Sequence, residues 1–160
     1  MRTMQHGTLT LPASADRVYE TAKRYLSYDP REARLFNRLE HARDGRRYHL
    51  LINHRNDDHF DPSTNTIAWD PYSALRTTRG GHQSPALGLG HEVDHAVENP
   101  SAQARLQAIP DARYDNAEER RVIRGSETHA ARMLHESVRY DHDGTTYRVA
   151  SPIAMNLLAA

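Results

Sequence analysis

An α+β domain is what this 160-residue sequence predicts, on three observations. Two short runs with strand character lie in its first half, a capped apolar helix occupies its middle, and helical periodicity resumes behind that helix. The expected form is one compact domain over 1–160, with a small sheet ahead of the central helix, further helices behind it, and a helical N-terminal part over 1–45.

Each element has its own signal. Val18, Ala22 and Tyr25 recur at helical spacing between Ser14 and Tyr25. Pro30 followed by Leu35, Phe36 and Leu39 predicts a second helix running toward Asp44-Gly45. The period then changes: Tyr48 to Asn53 reads as a buried strand, Asn56 to Ser63 as a polar turn, and Thr64 to Asp70 as a strand with Ile67 and Trp69 on one face. Pro71 to Gln83 carries Arg79-Gly80-Gly81 without periodicity and reads as a loop.

Ser84 as N-cap and Pro85 at the first helical position open the central helix, and Asn99-Pro100 closes it. Leu87, Leu89 and Val93, with small Ala86 and Ala96, allow it to be mostly buried. Ser101 to Ala108 suggests a short helix and Pro110 to Asp115 a connector. Asn116 to about Ile123 is helical, Gly125 interrupts, and Ser126 to Val138 is helical again with Ala130, Met133 and Leu134 inward; Thr145 to Ser151 reads as a strand.

Composition excludes several classes. Lysine plus arginine equals aspartate plus glutamate at 21 each, with no basic run or aromatic-basic interleaving, so no nucleic-acid partner is expected. No apolar stretch has membrane-spanning length, and Met1 to Ser14 lacks the apolar core of a secretory signal; no membrane partner is expected, and export without a cleaved signal stays open. Cysteine is absent, so any metal must be held by His, Asp or Glu, which favours a catalytic over a structural metal site. Lys23 is the only lysine, which fits codon bias of a GC-rich genome and also avoidance of ubiquitination inside a eukaryotic cell.

The central helix carries His91-Glu92-Val93-Asp94-His95. Two imidazoles one helical turn apart on the same face can reach one Zn²⁺ at about 2.0 Å. Glu92 then stands beside the metal, where its carboxylate can take a proton from an attacking water and hand it to a leaving amine. With 11 His in the chain, the five-residue pattern alone is weak, and its helical context carries the argument.

Asp94 points to another helix face and is read as a solvent or core-edge residue. A hydrolytic zinc site needs a third protein ligand, for which Glu118, Glu119, Glu127, His129 and His135 are downstream candidates. Asn116-Ala117-Glu118-Glu119 opens a helix that can pack antiparallel to the central one, although Glu119 also holds the position of a capping-box glutamate. Glu127 is the rival third ligand. Glu118, Glu127 and Glu98 are unranked candidates for orienting the imidazoles.

Ser84 to Ala96, Asn116 to Ile123, Glu127, Arg139 to Gly144 and Trp69-Asp70-Pro71, taken together, give a chain that resembles the NleD-like metallopeptidases from about Tyr48 to Pro152. These are zinc effectors that bacterial pathogens inject through type III secretion systems. The resemblance implies a zincin fold of the gluzincin type, Zn²⁺ on His91, His95 and a glutamate, and Glu92 as general base. The Glu-Glu-Arg stretch also looks like the third-ligand helix of clostridial neurotoxin light chains, which carries the role onto Glu119. An Arg-x-x-aromatic pattern maps onto Arg139 and His142, with His where Tyr is common. Arg139 would supply a positive charge to the tetrahedral oxyanion, and His142 or Tyr140 a hydrogen bond. On sequence alone Arg139 equally fits a surface ion pair with Asp141 or Glu136.

In zincins an edge strand pairs with the substrate backbone, and Thr66 to Trp69 is nominated for it, with an ordinary core strand as the alternative. The implied partner is a host signalling protein such as a mitogen-activated protein kinase, met in the host cytosol after secretion by an enzyme acting as a monomer. Two alternatives are a toxin peptidase aimed at competing bacteria and a non-catalytic His-rich metal-binding interaction module.

Overall fold

Leu9, Thr10 and Leu11 alternate buried, half-buried and buried, which is the period of a strand with one face on a core. The computed structural model, which describes residues 2–158, accordingly begins with a hairpin of β1 (Thr3–His6) and β2 (Leu9–Pro12). This corrects the expectation of a helical N-terminal part, which holds only from α1 (Asp16–Leu26) and α2 (Pro30–Glu40) onward. Gly7 makes the turn at φ 60°, with Thr8 N–H donating to the Glu40 carbonyl at 2.8 Å.

The hairpin joins a mixed sheet. β2 pairs in parallel with β3 (Tyr48–Ile52), β3 in parallel with β5 (Thr66–Trp69), and β4 (His59–Asp61) runs antiparallel to β5 at the border, giving the order β1-β2-β3-β5-β4. Thr66 to Trp69 is therefore an interior strand, and the nomination of it as an edge is corrected: the border strand is β4, inside the segment expected to be a turn. β6 (Ser73–Arg76) and β7 (His82–Gln83) replace the expected loop, and β10 (Thr145–Arg148) pairs with β6. β6 and β7 sit inside a segment whose Pro and Gly read as loop, and β6 finds one of its partners some seventy residues later in the chain.

The core lies between this sheet and α1, α2 and α3 (Pro85–Val97). Tyr48, Leu50, Ile67 and Trp69 from the sheet meet Tyr19, Leu26 and Phe36 from the first helices and Leu87, Leu89 and Val93 from α3, all fully buried or nearly so. Each such side chain contributes roughly 1.5–3 kcal/mol by leaving water. α3 is clamped at both ends. Ser84 accepts from Leu87 N–H at 3.2 Å, and the Trp69 indole donates to the Pro85 carbonyl at 2.9 Å. At the far end Arg38 and Arg46 donate to the Val97 and Ala96 carbonyls at 2.6 and 3.0 Å, placing cations on the C-terminal pole.

Behind α3 come α4 (Pro100–Gln107), a two-strand turn of β8 (Pro110–Asp111) and β9 (Asp115–Asn116), and α5 (Ala117–Val122). A wide turn over Ile123–Glu127, kinked at Gly125, leads into α6 (Thr128–Met133). Two helices end sooner than their periodicity suggested, α2 where His41 leaves helical geometry (φ −138°) and α6 ahead of a left-handed His135 (φ 58°). Glu40 turns to Tyr19 and to Lys23, 2.8 Å away, and Glu136 accepts from Ser84 N–H and Oγ at 2.7 and 2.8 Å. Among the described residues no helix is long and apolar enough to cross a membrane.

A Cβ on Gly7 would lie 1.8 Å from the Glu40 carbonyl oxygen, whereas one on Gly45 (φ 83°) would meet nothing within 4 Å. Gly7→Ala is expected to lose about 2 kcal/mol or more and Gly45→Ala about 1 kcal/mol. Urea-denaturation midpoints check this, and equal losses at the two sites would contradict the hairpin geometry.

Candidate metal centre

His91 and His95, one turn apart on α3, turn their rings toward each other with the Nε2 atoms 3.1 Å apart. Glu119, the third residue of α5, closes the triangle: its oxygens lie 2.9 Å from His91 Nε2 and 2.5 Å from His95 Nε2. His91, His95 and Glu119 thus form a group that could hold a metal ion. Asn116 does cap α5, accepting from Glu119 N–H at 2.9 Å, but the Glu119 carboxylate goes to the imidazoles and leaves the capping box half-made.

The outer ring nitrogens are held separately. His91 Nδ1–H donates to Glu127 and His95 Nδ1–H to Glu118, each at 2.7 Å between heavy atoms and each buried. Glu127, the rival third ligand, therefore stands behind His91 and outside the triangle. Glu98 is with Arg121, at 3.3 Å, and touches neither ring. Each supporting carboxylate has its own cation: Arg139 grips Glu127 through Nε and Nη2 at 2.9 and 2.7 Å, and Arg121 grips Glu118 through Nε and Nη2 at 2.8 Å each. Arg121 follows Glu118 by three residues, a spacing visible in the sequence and not used there.

The electrostatics follow from this wiring. Burial opposes the imidazolium form, yet hydrogen bonds with Glu119 and Glu127 outweigh it and hold His91 well above the usual histidine range. For His95 burial is likewise overcome, by Glu118 and Glu119, and its pKa is pushed up to about 9. Burial would raise Glu119 and Glu127; bonds from His142, His91 and His95 to the former, and the Arg139 charge beside the latter, instead depress both.

Do these residues suit zinc? Four-coordinate Zn²⁺ with donors at 2.0–2.1 Å spaces them about 3.3 Å apart. The spacings here are slightly tighter, and the nitrogen and carboxylate donors, each imidazole backed by a buried carboxylate, are the set that metal prefers.

Glu92 lies beside the triangle, 3.9 Å from His91 Nε2, and makes no hydrogen bond among the described residues. It sits where two hollows of about 220 and 180 Å³ meet, with Asp58 and His142 shared by both. β4 and its flanking Asp58 and Pro62 border the first hollow, and Ser73 to Leu75 the second. His142 bonds Asp115 and approaches Glu119 to 2.9 Å, its ring parallel to His91 with centroids 6.1 Å apart. Arg139 lines the second hollow with Nη1 free of hydrogen bonds among the described residues; neither Asp141 nor Glu136 pairs with it. Tyr140 is outside both hollows, its ring under the Arg79 guanidinium at 3.8 Å.

His129 pairs with Asp29 at 2.9 Å and His135 lies on a separate surface, so neither reaches the triangle. Asp94 is buried and bound to Arg121 at 2.8 Å and to Ser126, which corrects its reading as a solvent or core-edge residue. Asp58 escaped the sequence reading because the border strand that buries it was read as a turn. Burial and the nearby Glu92 and Asp70 push its pKa up to about 8 against the Asp70 N–H bond and His91, which lower it.

No family model, curated protein or solved structure matches the chain.

Glu118→Gln and Glu127→Gln are each expected to weaken Zn²⁺ affinity about 10- to 100-fold, measured by competition with a chromogenic chelator. A metal must displace the protons held on the imidazoles, so affinity should rise with pH from the ordinary histidine range up through about 9, the value for His95. The metal-free protein should behave in the opposite sense. Raised histidines stabilise fully below their ordinary 6.5 and lose that contribution as pH climbs through about 9, so its Tm in chelator should fall across that window. A flat Tm profile would contradict the imidazole–carboxylate pairing.

Proposed function

We propose that the chain is a zinc-dependent endopeptidase, zincin-like in fold and NleD-like in family, with His91, His95 and Glu119 as metal ligands and Glu92 as general base. The observation that supports it most is the unengaged Glu92 carboxylate beside the His91–His95–Glu119 triangle, at the junction of the two hollows. Bound Zn²⁺ would supply Lewis acidity and make water ionisable near neutrality. The chain's own groups do the rest. A substrate backbone pairs with the open edge of β4 and crosses the junction. Glu92 accepts a proton from water as the water oxygen adds to the scissile carbonyl, then delivers that proton to the departing amine nitrogen as the C–N bond breaks. Arg139 Nη1, and His142 Nε2 once it leaves Glu119, stabilise the oxyanion, while Glu127 limits how far the guanidinium can move.

The route and target rest on the resemblance: secretion through a type III system, action as a monomer in the host cytosol, and a host signalling kinase as substrate class. The low lysine content fits a working life in that compartment.

Purified protein should contain about one equivalent of zinc, lost in His91→Ala and retained in Glu92→Ala. Turnover in Glu92→Ala should fall by about 10²–10⁴-fold. Host cells expressing wild type or Glu92→Ala, compared by N-terminal proteomics, should differ by a small set of new termini. Identical profiles would remove the peptidase reading.

A further inference from the structure

Arg120, Arg124, Thr128 and Arg132 follow one another at intervals of four along α5, the wide turn and α6, and all four line a single groove of about 530 Å³. Arg113 from the β8–β9 turn and Arg139 complete its cationic wall. Asp111 is the one acidic residue lining it, and it is engaged by Arg120 at 2.7 Å. Arg113, Arg124 and Arg132 are exposed and have no carboxylate within 4.0 Å among the described residues. In a chain of zero formal net charge this is a concentrated positive field, and like charges are held together there without compensation.

The groove adjoins the hollow at the metal centre. Arg139 lines both it and the hollow containing His91 and Glu92, and His142 N–H donates to the Arg113 carbonyl at 2.9 Å, so that one wall is shared. Arg124 lies in the wide turn just before the kink at Gly125 and Arg132 in α6 beyond it, so the groove takes its cations from both sides of the kink. Single-stranded nucleic acid is disfavoured as an occupant. Tyr140, the one exposed aromatic among the described residues lining the groove, has one ring face taken by the Arg79 guanidinium at 3.8 Å, so successive bases find no row of rings to stack on.

We infer that the Arg113–Arg124–Arg132 groove is an exosite for an acidic stretch of the protein substrate, a few residues from the bond placed at the metal centre. The identity of the ligand as polypeptide rests on the endopeptidase reading; the binding itself is measurable without turnover. Planar guanidiniums bind carboxylates through paired hydrogen bonds, and rim charges of this kind set association rate and partner choice.

Full-length protein carrying Glu92→Ala is titrated against fluorescein-labelled hexaglutamate by anisotropy, and compared with the same chain carrying Arg124→Glu and Arg132→Glu. A control carries Arg17→Glu and Arg31→Glu, two exposed arginines outside the groove. Circular dichroism verifies folding of each. Binding that weakens about tenfold or more in the groove variant, within about twofold in the control, and progressively with salt supports the exosite. No binding, or equal loss in both variants, overturns it. Tighter binding of a labelled oligothymidine than of hexaglutamate overturns it in favour of nucleic acid. Groove-dependent hexaglutamate binding alongside identical proteomic profiles would support the groove and remove the peptidase reading alone.

Discussion

Two buried carboxylates organise this protein. Glu118 and Glu127 take the outer nitrogens of His95 and His91, and through them decide where the inner nitrogens point. A carboxylate or imidazolium withdrawn from water without a partner costs several kcal/mol, so these groups are stable inside only as a connected set. Arg121 and Arg139 complete the set by supplying permanent charge to each carboxylate. Removing any one member leaves its partner buried and uncompensated, which ties the geometry of the centre to the stability of the domain.

Rigidity of α3 is the second requirement, because the two imidazoles are placed by one helical turn. Glu136 from beyond α6, Trp69 from β5 and the Arg38–Arg46 pair lock its two ends from four different parts of the chain. The C-terminal half therefore shapes the centre twice, through the carboxylates it delivers and through the cap it places on the helix carrying the histidines. Under the endopeptidase reading, the same half also extends the centre into an arginine-lined groove, so chemistry and substrate choice would share Arg139 and the wall beside it.

The central helix, its cap at Ser84, its proline start and its burial are legible in the sequence, since all are local or periodic properties. The strands over Tyr48–Ile52 and Thr66–Trp69 are legible for the same reason. The N-terminal hairpin also has a local signal, in Gly7 and the Leu9–Leu11 alternation. β4, β6 and β7 are not legible: they sit as two to four residues inside segments rich in Asp, Asn, Pro and Gly that read as turn or loop, and one of β6's partners, β10, comes some seventy residues later. Helices α2 and α6 stop where Glu40 and Glu136 find tertiary partners, which periodicity does not record.

At the centre, the sequence alone determined which side chains could meet. Helical spacing puts His91 and His95 on one face whatever surrounds them, and the absence of cysteine limits their companions to carboxylates and further histidines. Only the tertiary structure decided among those companions. Glu118, Glu119 and Glu127 are chemically equivalent in a string of letters. The angle at which α5 and the kinked turn after it cross α3 sends one carboxylate between the two inner nitrogens and the other two behind the rings.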